Sequence, residues 1–288
     1  MLFPPATHCH FVASVAYLNR IRRISHMPTD AAPTILVFDS GLGGLTVFRE
    51  IARARPDARF VYVADDAAFP YGAMPQDALV ARILKIAGDA IARCHPDLVV
   101  IACNTASTLA LSELRAKFSV PFVGTVPAIK PACAQSKSKR VAVLGTQATV
   151  GREYTRALIR EFADGCQVTL VGSARLATLA EAELNGQPAT DKDIAAEIAP
   201  CFVVDKSGRT DTNVLACTHY PLLLARLRAN AAWPVGWIDP APAIARRVVD
   251  LIGPPPGRHT APRADIVFTS GHALSAPLAA ALKTYGFP

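Results

Sequence analysis

Residues 34–44 read TILVFDSGLGG. Thr34 to Phe38 is a short apolar run rich in β-branched residues, the composition of a buried strand. It breaks at Asp39 into Ser-Gly-Leu-Gly-Gly, and from Leu45 to Ala54 the apolar residues return at helical spacing. Strand, tight turn and helix form the first unit of an alternating chain. Residues 60–63 (FVYV) supply the next strand, and a polar loop runs through Pro70-Tyr71-Gly72. Leu79, Ile83, Ile86 and Ile91 then space a helix over Gln76–Cys94, and residues 98–102 return to a strand. Further strands are predicted at 122–123, 141–144, 168–171 and 213–216, and helices at 109–118, 152–162, 177–184, 194–201 and 222–231. Near-continuous apolar strands alternating with amphipathic helices predict mainly parallel sheets flanked by helices on both faces. The fold class is α/β.

The chain also repeats its own layout. ILVFDSG at 35–41 is echoed by VAVLGTQ at 141–147, and VVIACNTAS at 99–107 by NVLACTHYP at 213–221. Two echoes in the same order predict two similar α/β halves. Open parallel sheets bind ligands beyond the carboxyl ends of their strands, so halves that face each other would bring Cys103 and Cys217 into one cleft.

Bulk properties bound the function classes. Of 288 residues, 51% are hydrophobic and 18% charged, a composition that folds rather than stays disordered. The net charge is +7, but Arg20, Arg22 and Arg23 lie in an acid-free segment of 26 residues, beyond which 27 basic face 23 acidic residues. So mild an excess reads as a solvated surface rather than a nucleic-acid site. The segment from Met1 to His26 lacks the order of a secretion signal, and Met27 stands shortly before the first strand as an alternative start. No run reaches the roughly 20 apolar residues that span a bilayer. Cysteines at 9, 94, 103, 133, 166, 201 and 217 form an odd, irregular set that suits reduced thiols in the cytoplasm better than a disulfide framework.

Three segments carry groups capable of chemistry. In Cys103-Asn104-Thr105-Ala106-Ser107 a thiol leaves a strand where a helix opens, a setting in which free N–H groups and the helix dipole lower a thiol's pKa. The same N–H groups, with the Asn104 and Thr105 side chains, can hold a carboxylate. A buried cysteine before an ordinary cap is the competing reading. Cys217-Thr218-His219 repeats the arrangement and adds an imidazole able to exchange protons near neutral pH; a zinc pair is its rival, although no second compact pair completes a structural site. Asp39-Ser40-Gly41-Leu42-Gly43-Gly44 places a carboxylate in a loop that permits close backbone approach. It matches neither nucleotide-binding glycine motif, and it suits an ammonium group better than a phosphate, with Asp39 as a simple N-cap the alternative. Two thiols on opposite faces of one α-carbon would suit inversion, one taking the α-proton and the other returning one.

Together, DSGLGG at 39–44, PYG at 70–72, ACNTAS at 102–107, LGTQAT at 144–149 and CTHYPLL at 217–223 resemble the glutamate racemases, in the order of that family. The resemblance implies a cofactor-independent isomerase that interconverts L- and D-glutamate for peptidoglycan synthesis in the cytoplasm. Carried over by motif, Cys103 and Cys217 are the acid and base, assisted by Asp39 and His219. Ser40, Tyr71, Gly72, Asn104, Thr105, Thr146, Thr218 and Glu181 stand near substrate, with no metal. It further implies a homo-oligomer, a dimer, with no membrane partner; association with nucleic acid or gyrase is the weaker expectation. Two domains enclosing the site are expected at 31–126 plus 236–288 and at 127–235, behind an N-terminal extension at 1–30. An aspartate racemase of the same superfamily and a non-catalytic amino-acid-binding protein are the alternatives. The sequence departs from the family pattern at Asp65-Asp66-Ala67-Ala68 and around Ser173-Ala174-Arg175, segments that bear on the cleft entrance and on contacts but not on the thiols.

Overall fold

The computed structural model describes residues 32–206, 208–256 and 262–288. The expectations for the N-terminal extension and for Met27 as a start lie outside the described residues.

Strands β1 (Thr34–Asp39), β2 (Arg59–Ala64), β3 (Leu98–Ile101) and β4 (Phe122–Gly124) belong to a first sheet, and β5 (Arg140–Thr146) and β6 (Gln167–Ser173) to a second. A short antiparallel hairpin, β7 (Val204–Asp205) with β8 (Gly208–Arg209), precedes β9 (Thr212–Ala216) and β10 (Gly236–Ile238), which complete the second sheet. The chain then returns through the helix Ala241–Ile252 to β11 (Arg263–Phe268) at the edge of the first sheet. The orders are β11-β2-β1-β3-β4 and β10-β9-β5-β6, and every pair in both sheets is parallel.

The apolar strand runs arise because each face of the first sheet is covered. Side chains alternate across a strand. Ile35, Val37, Phe60, Tyr62, Leu98 and Val100 accordingly pack into one core, together with the helices Leu45–Ala54 and Ala241–Ile252. Leu36, Phe38, Val61, Val63, Val99 and Ile101 pack into the other, beneath the helices Gln76–Cys94 and Asn104–Lys117. Burial of each such side chain contributes about 1.5–3 kcal/mol, which holds the strand ends in fixed register.

Connectivity makes one end of each sheet special. In the first, the chain leaves β1 toward β2 on one side and later places β3 on the other, so the strand order reverses between β1 and β3. In the second, the same reversal falls between β5 and β9. Such switch points open a crevice at the carboxyl ends of their strands.

Several boundaries differ from those predicted. Gly236–Ile238 pairs in register with Thr212–Val214 and so extends the second sheet past residue 235, the limit expected for its domain. The helix expected at 109–118 starts at Asn104, because the Cys103 thiol caps it by accepting the Ala106 N–H. The helix expected at 152–162 is Glu153–Phe162, and a short helix with no counterpart in the expected set, Gln147–Gly151, precedes it, with Arg152 in extended conformation between them. No described helix is long and apolar enough to cross a membrane.

Candidate active site

Each switch point delivers predicted residues. Asp39 closes β1, Cys103 lies just past β3, Thr146 closes β5, and Cys217 directly follows β9. One narrow cleft is lined by Ser40, Tyr71, Gly72, Cys103, Asn104 and Thr105 from the first half and by Thr146, Cys217, Thr218 and His219 from the second. Phe69, Pro70 and Ala177 complete the wall. Phe69 and Ala177 carry no sequence signal beyond an apolar side chain in a polar loop and in a helix start. Asp39 and Glu181 do not line the cleft; both stand behind groups that do.

Cys103 is 6% exposed. Its thiol donates toward Ser40 Oγ at 3.5 Å and accepts the Ala106 N–H at 3.5 Å. A helix start predicts a depressed pKa, and here the structure corrects the sequence reading. Burial first, and then the nearby charge of Asp39, push the thiol up to about 12 against the pull of the Ser40 and Ala106 bonds. Desolvation outweighs the helix terminus, so Cys103 rests as a thiol with a proton to give.

Asp39 is fully buried. Oδ2 accepts the N–H groups of Gly41 and Gly44, both at 3.1 Å, which folds the glycine loop back on the strand end, while Oδ1 has no partner. Burial raises its pKa, although the charge of His219 opposes this. The Tyr62 hydroxyl, which the sequence does not single out, donates to the Gly41 carbonyl at 3.0 Å and lies 3.4 Å from Oδ2.

On the other side, His219 Nδ1 lies 3.8 Å from Cys217 Sγ and Nε2 lies 2.9 Å from Glu181 Oε1. Both ring nitrogens are thus engaged. Burial disfavours the imidazolium, but the bonds and charges of Cys217 and Glu181 overcome it and hold the pKa well above the ordinary value. The Gly43 N–H also stands 3.2 Å from Nε2, so the imidazole is fixed from both halves. Glu181 also accepts the Leu42 N–H at 2.8 Å, and Thr46 Oγ1 donates to the Thr218 carbonyl at 3.2 Å, so the glycine loop of one half is bonded directly to the second half. Phe69 covers the imidazole with a centroid separation of 5.3 Å.

A histidine whose pKa is raised by folding adds stability that is complete below its unfolded value, about 6.5, and is lost as pH rises through the folded value. The stability gap between the native chain and His219→Asn is therefore expected to narrow as pH is raised from neutral into the alkaline range. Urea unfolding at a series of pH values reads the gap, and a widening would contradict the assignment.

Hydroxyls gather where the halves meet. Thr105 Oγ1 lies 3.3 Å from Thr146 Oγ1 and 3.4 Å from Thr149 Oγ1. Both amide atoms of Asn104, which is 2% exposed and lines the cleft, lack protein partners. A buried amide left unsatisfied costs about 1–3 kcal/mol, which a polar ligand would recover.

The sequence pattern of the Asp/Glu/hydantoin racemases matches residues 35–248. The chain belongs to this family. A glutamate racemase of Brucella anthropi is 56% identical over 232 residues, covering 80% of this chain and 84% of the relative. The fold is shared with Escherichia coli glutamate racemase, solved with L-glutamate and the activator UDP-MurNAc-Ala, at a TM-score of 0.79 and 39% identity over 89% of this chain and 96% of that one. Glutamate racemase isoform RacE1 of Bacillus anthracis superposes with a TM-score of 0.74 at 25% identity, covering 88% and 94%. Membership of a racemase family gives the paired thiols a chemical context that geometry alone leaves open.

Proposed function

We infer that this chain is a glutamate racemase that inverts the α-carbon by proton transfer between Cys103 and Cys217. The observation that carries the reading is the arrival of two thiols from two switch points at the wall of one cleft. In one direction the Cys217 thiolate, balanced by the His219 imidazolium, removes the α-hydrogen as a proton and leaves the electron pair delocalised into the α-carboxylate. The Cys103 thiol then protonates the opposite face. The reverse reaction exchanges the roles. Asn104, Thr105, Thr146 and Thr218 are neutral donors suited to the carboxylates, whose developing charge they stabilise without reorganising. Asp39 assists the Cys103 side and Ser40 hydrogen-bonds its thiol, while Tyr71 and Gly72 close the wall. Glu181 acts through His219. The enzyme works in the cytoplasm as a homodimer and supplies D-glutamate for peptidoglycan, as its likeness to the family implies.

The test is incubation of the purified chain with single enantiomers of glutamate in D2O, without added cofactor. The inverted product is expected to carry deuterium at the α-carbon. Tight binding with no deuterium incorporated would leave only a binding protein, and faster turnover of aspartate would move the substrate assignment to that amino acid.

A further inference from the structure

Asp65 opens the loop that reaches the cleft, and it is wholly buried. Its carboxylate takes a two-pronged bond from Arg82, Nε to Oδ2 at 2.7 Å and Nη2 to Oδ1 at 2.6 Å. Tyr71 donates its hydroxyl to Oδ2 at 2.6 Å, and Thr269, just past β11, donates to Oδ1 at 2.6 Å. Beside it, Asp66 accepts the Ser270 N–H at 2.8 Å. The root of the loop is thereby tied to the helix Gln76–Cys94 and to the end of β11. From that root the loop crosses the cleft, with Phe69 against the His219 ring and Tyr71 and Gly72 in the wall beside Cys103.

We propose that Arg82 is a positioning residue of this reaction, fixing Asp65 so that Tyr71 and Phe69 are held at the cleft without Arg82 touching substrate. The proposal rests on the glutamate reading above and extends it to a residue one helix removed. The chemistry favours arginine for a specific reason. A planar fork fixes the rotation of a carboxylate plane, which a point-charge ammonium cannot do. With the plane fixed, Oδ2 presents a set direction to the Tyr71 hydroxyl and Oδ1 to Thr269. Without Arg82 a buried carboxylate is left with neutral donors alone; it must rotate, take up a proton or admit water. Rotation or water entry releases Tyr71, and a protonated carboxyl holds it only by a weaker, neutral bond. Because burial and Asp65 also push the Tyr71 hydroxyl well above its ordinary pKa, that side chain remains a donor and has no other way to keep the bond. Arg82 itself is partly exposed, so its substitution leaves the apolar cores intact.

The bland reading is an ion pair that staples a helix to a loop and affects stability alone. Steady-state kinetics on both enantiomers, with thermal unfolding of the same samples, separate the two for Arg82→Met, Arg82→Lys, Tyr71→Phe and the Arg82→Met/Tyr71→Phe double variant. Loss of positioning in Arg82→Met is expected to raise KM by about tenfold or more for both enantiomers, at temperatures where the variant is fully folded. Arg82→Lys is expected to recover only part of that loss, since it restores the charge but not the fork. The double variant should be no worse than about twofold beyond the poorer single variant, because both act through one bond. A wild-type KM in Arg82→Met with only a lowered Tm would overturn the proposal, as would effects that multiply in the double variant. If Arg82→Met does not fold, Arg82→Lys decides: a raised KM supports the proposal and an unchanged KM overturns it. Failure of the wild-type chain to exchange the α-hydrogen would overturn the glutamate reading and this proposal together, and it would show before any variant is compared.

Discussion

Alanine at Cys103, and separately at Cys217, is expected to lower racemisation of glutamate by about 10³-fold or more, as deletion of a general acid or base does. Each substitution removes a single sulfur atom from a side chain already 6% exposed, so the fold is expected to survive. The two variants differ in what remains. Without Cys103, the Cys217 side can still remove a proton from the enantiomer that presents it and return one to the same face. Slow deuterium uptake with retained configuration is therefore expected for one enantiomer only. Without Cys217, the residual exchange should move to the other enantiomer. Full racemisation in either variant would eliminate the two-thiol mechanism, and residual exchange on the same enantiomer in both would place the thiols on one face.

The second large effect is expected at Gly43. A Cβ there would lie 2.3 Å from His219 Nδ1 and 2.6 Å from the His219 backbone nitrogen. The backbone contact cannot be relieved by turning a side chain, so Gly43→Ala must push the glycine loop away from the second half and disturb the imidazole beside Cys217. Overpacking of this kind costs about 1–3 kcal/mol of stability. The displaced imidazole should lower kcat by about 10²-fold. A Cβ at Gly151 would meet nothing within 4 Å, so Gly151→Ala is the control and should behave as wild type. Kinetics and urea unfolding of the two alanine variants read the difference; equal behaviour would mean that the close approach at His219 has no functional weight.

Much of the α/β frame is legible in the sequence, because its central strands are apolar on both faces and end abruptly in polar residues. The thiols are legible for the same reason, each sitting where an apolar strand stops. What escapes is set by long-range contact. β11 reads RADIVF, with charges in its first half and no long apolar run, and becomes a strand by pairing with β2, more than two hundred residues earlier in the chain. Gly236–Ile238 is too short to show a period, and only its register against β9 defines it. The pKa of Cys103 is misjudged from sequence because a helix start is visible there, whereas the burial that overrides it is not. The motif puts Glu181 near substrate, yet its carboxylate is spent on Leu42 and His219. Arg82 and Tyr62 carry no local signal, since their partners are Asp65 and the glycine loop, seventeen and about twenty residues away.

The inequality of the two thiols has a thermodynamic limit. Cys103 is held as a thiol by burial, while Cys217 has for a neighbour the His219 imidazole, whose pKa is raised. Free L- and D-glutamate are mirror images with equal free energy in water, so the Haldane relation requires the same kcat/KM in both directions, however unlike the two walls of the cleft. The asymmetry can only divide that shared value differently, giving one enantiomer a higher kcat and, in the same proportion, a higher KM. A net flow toward either hand must come from the reaction that consumes the product.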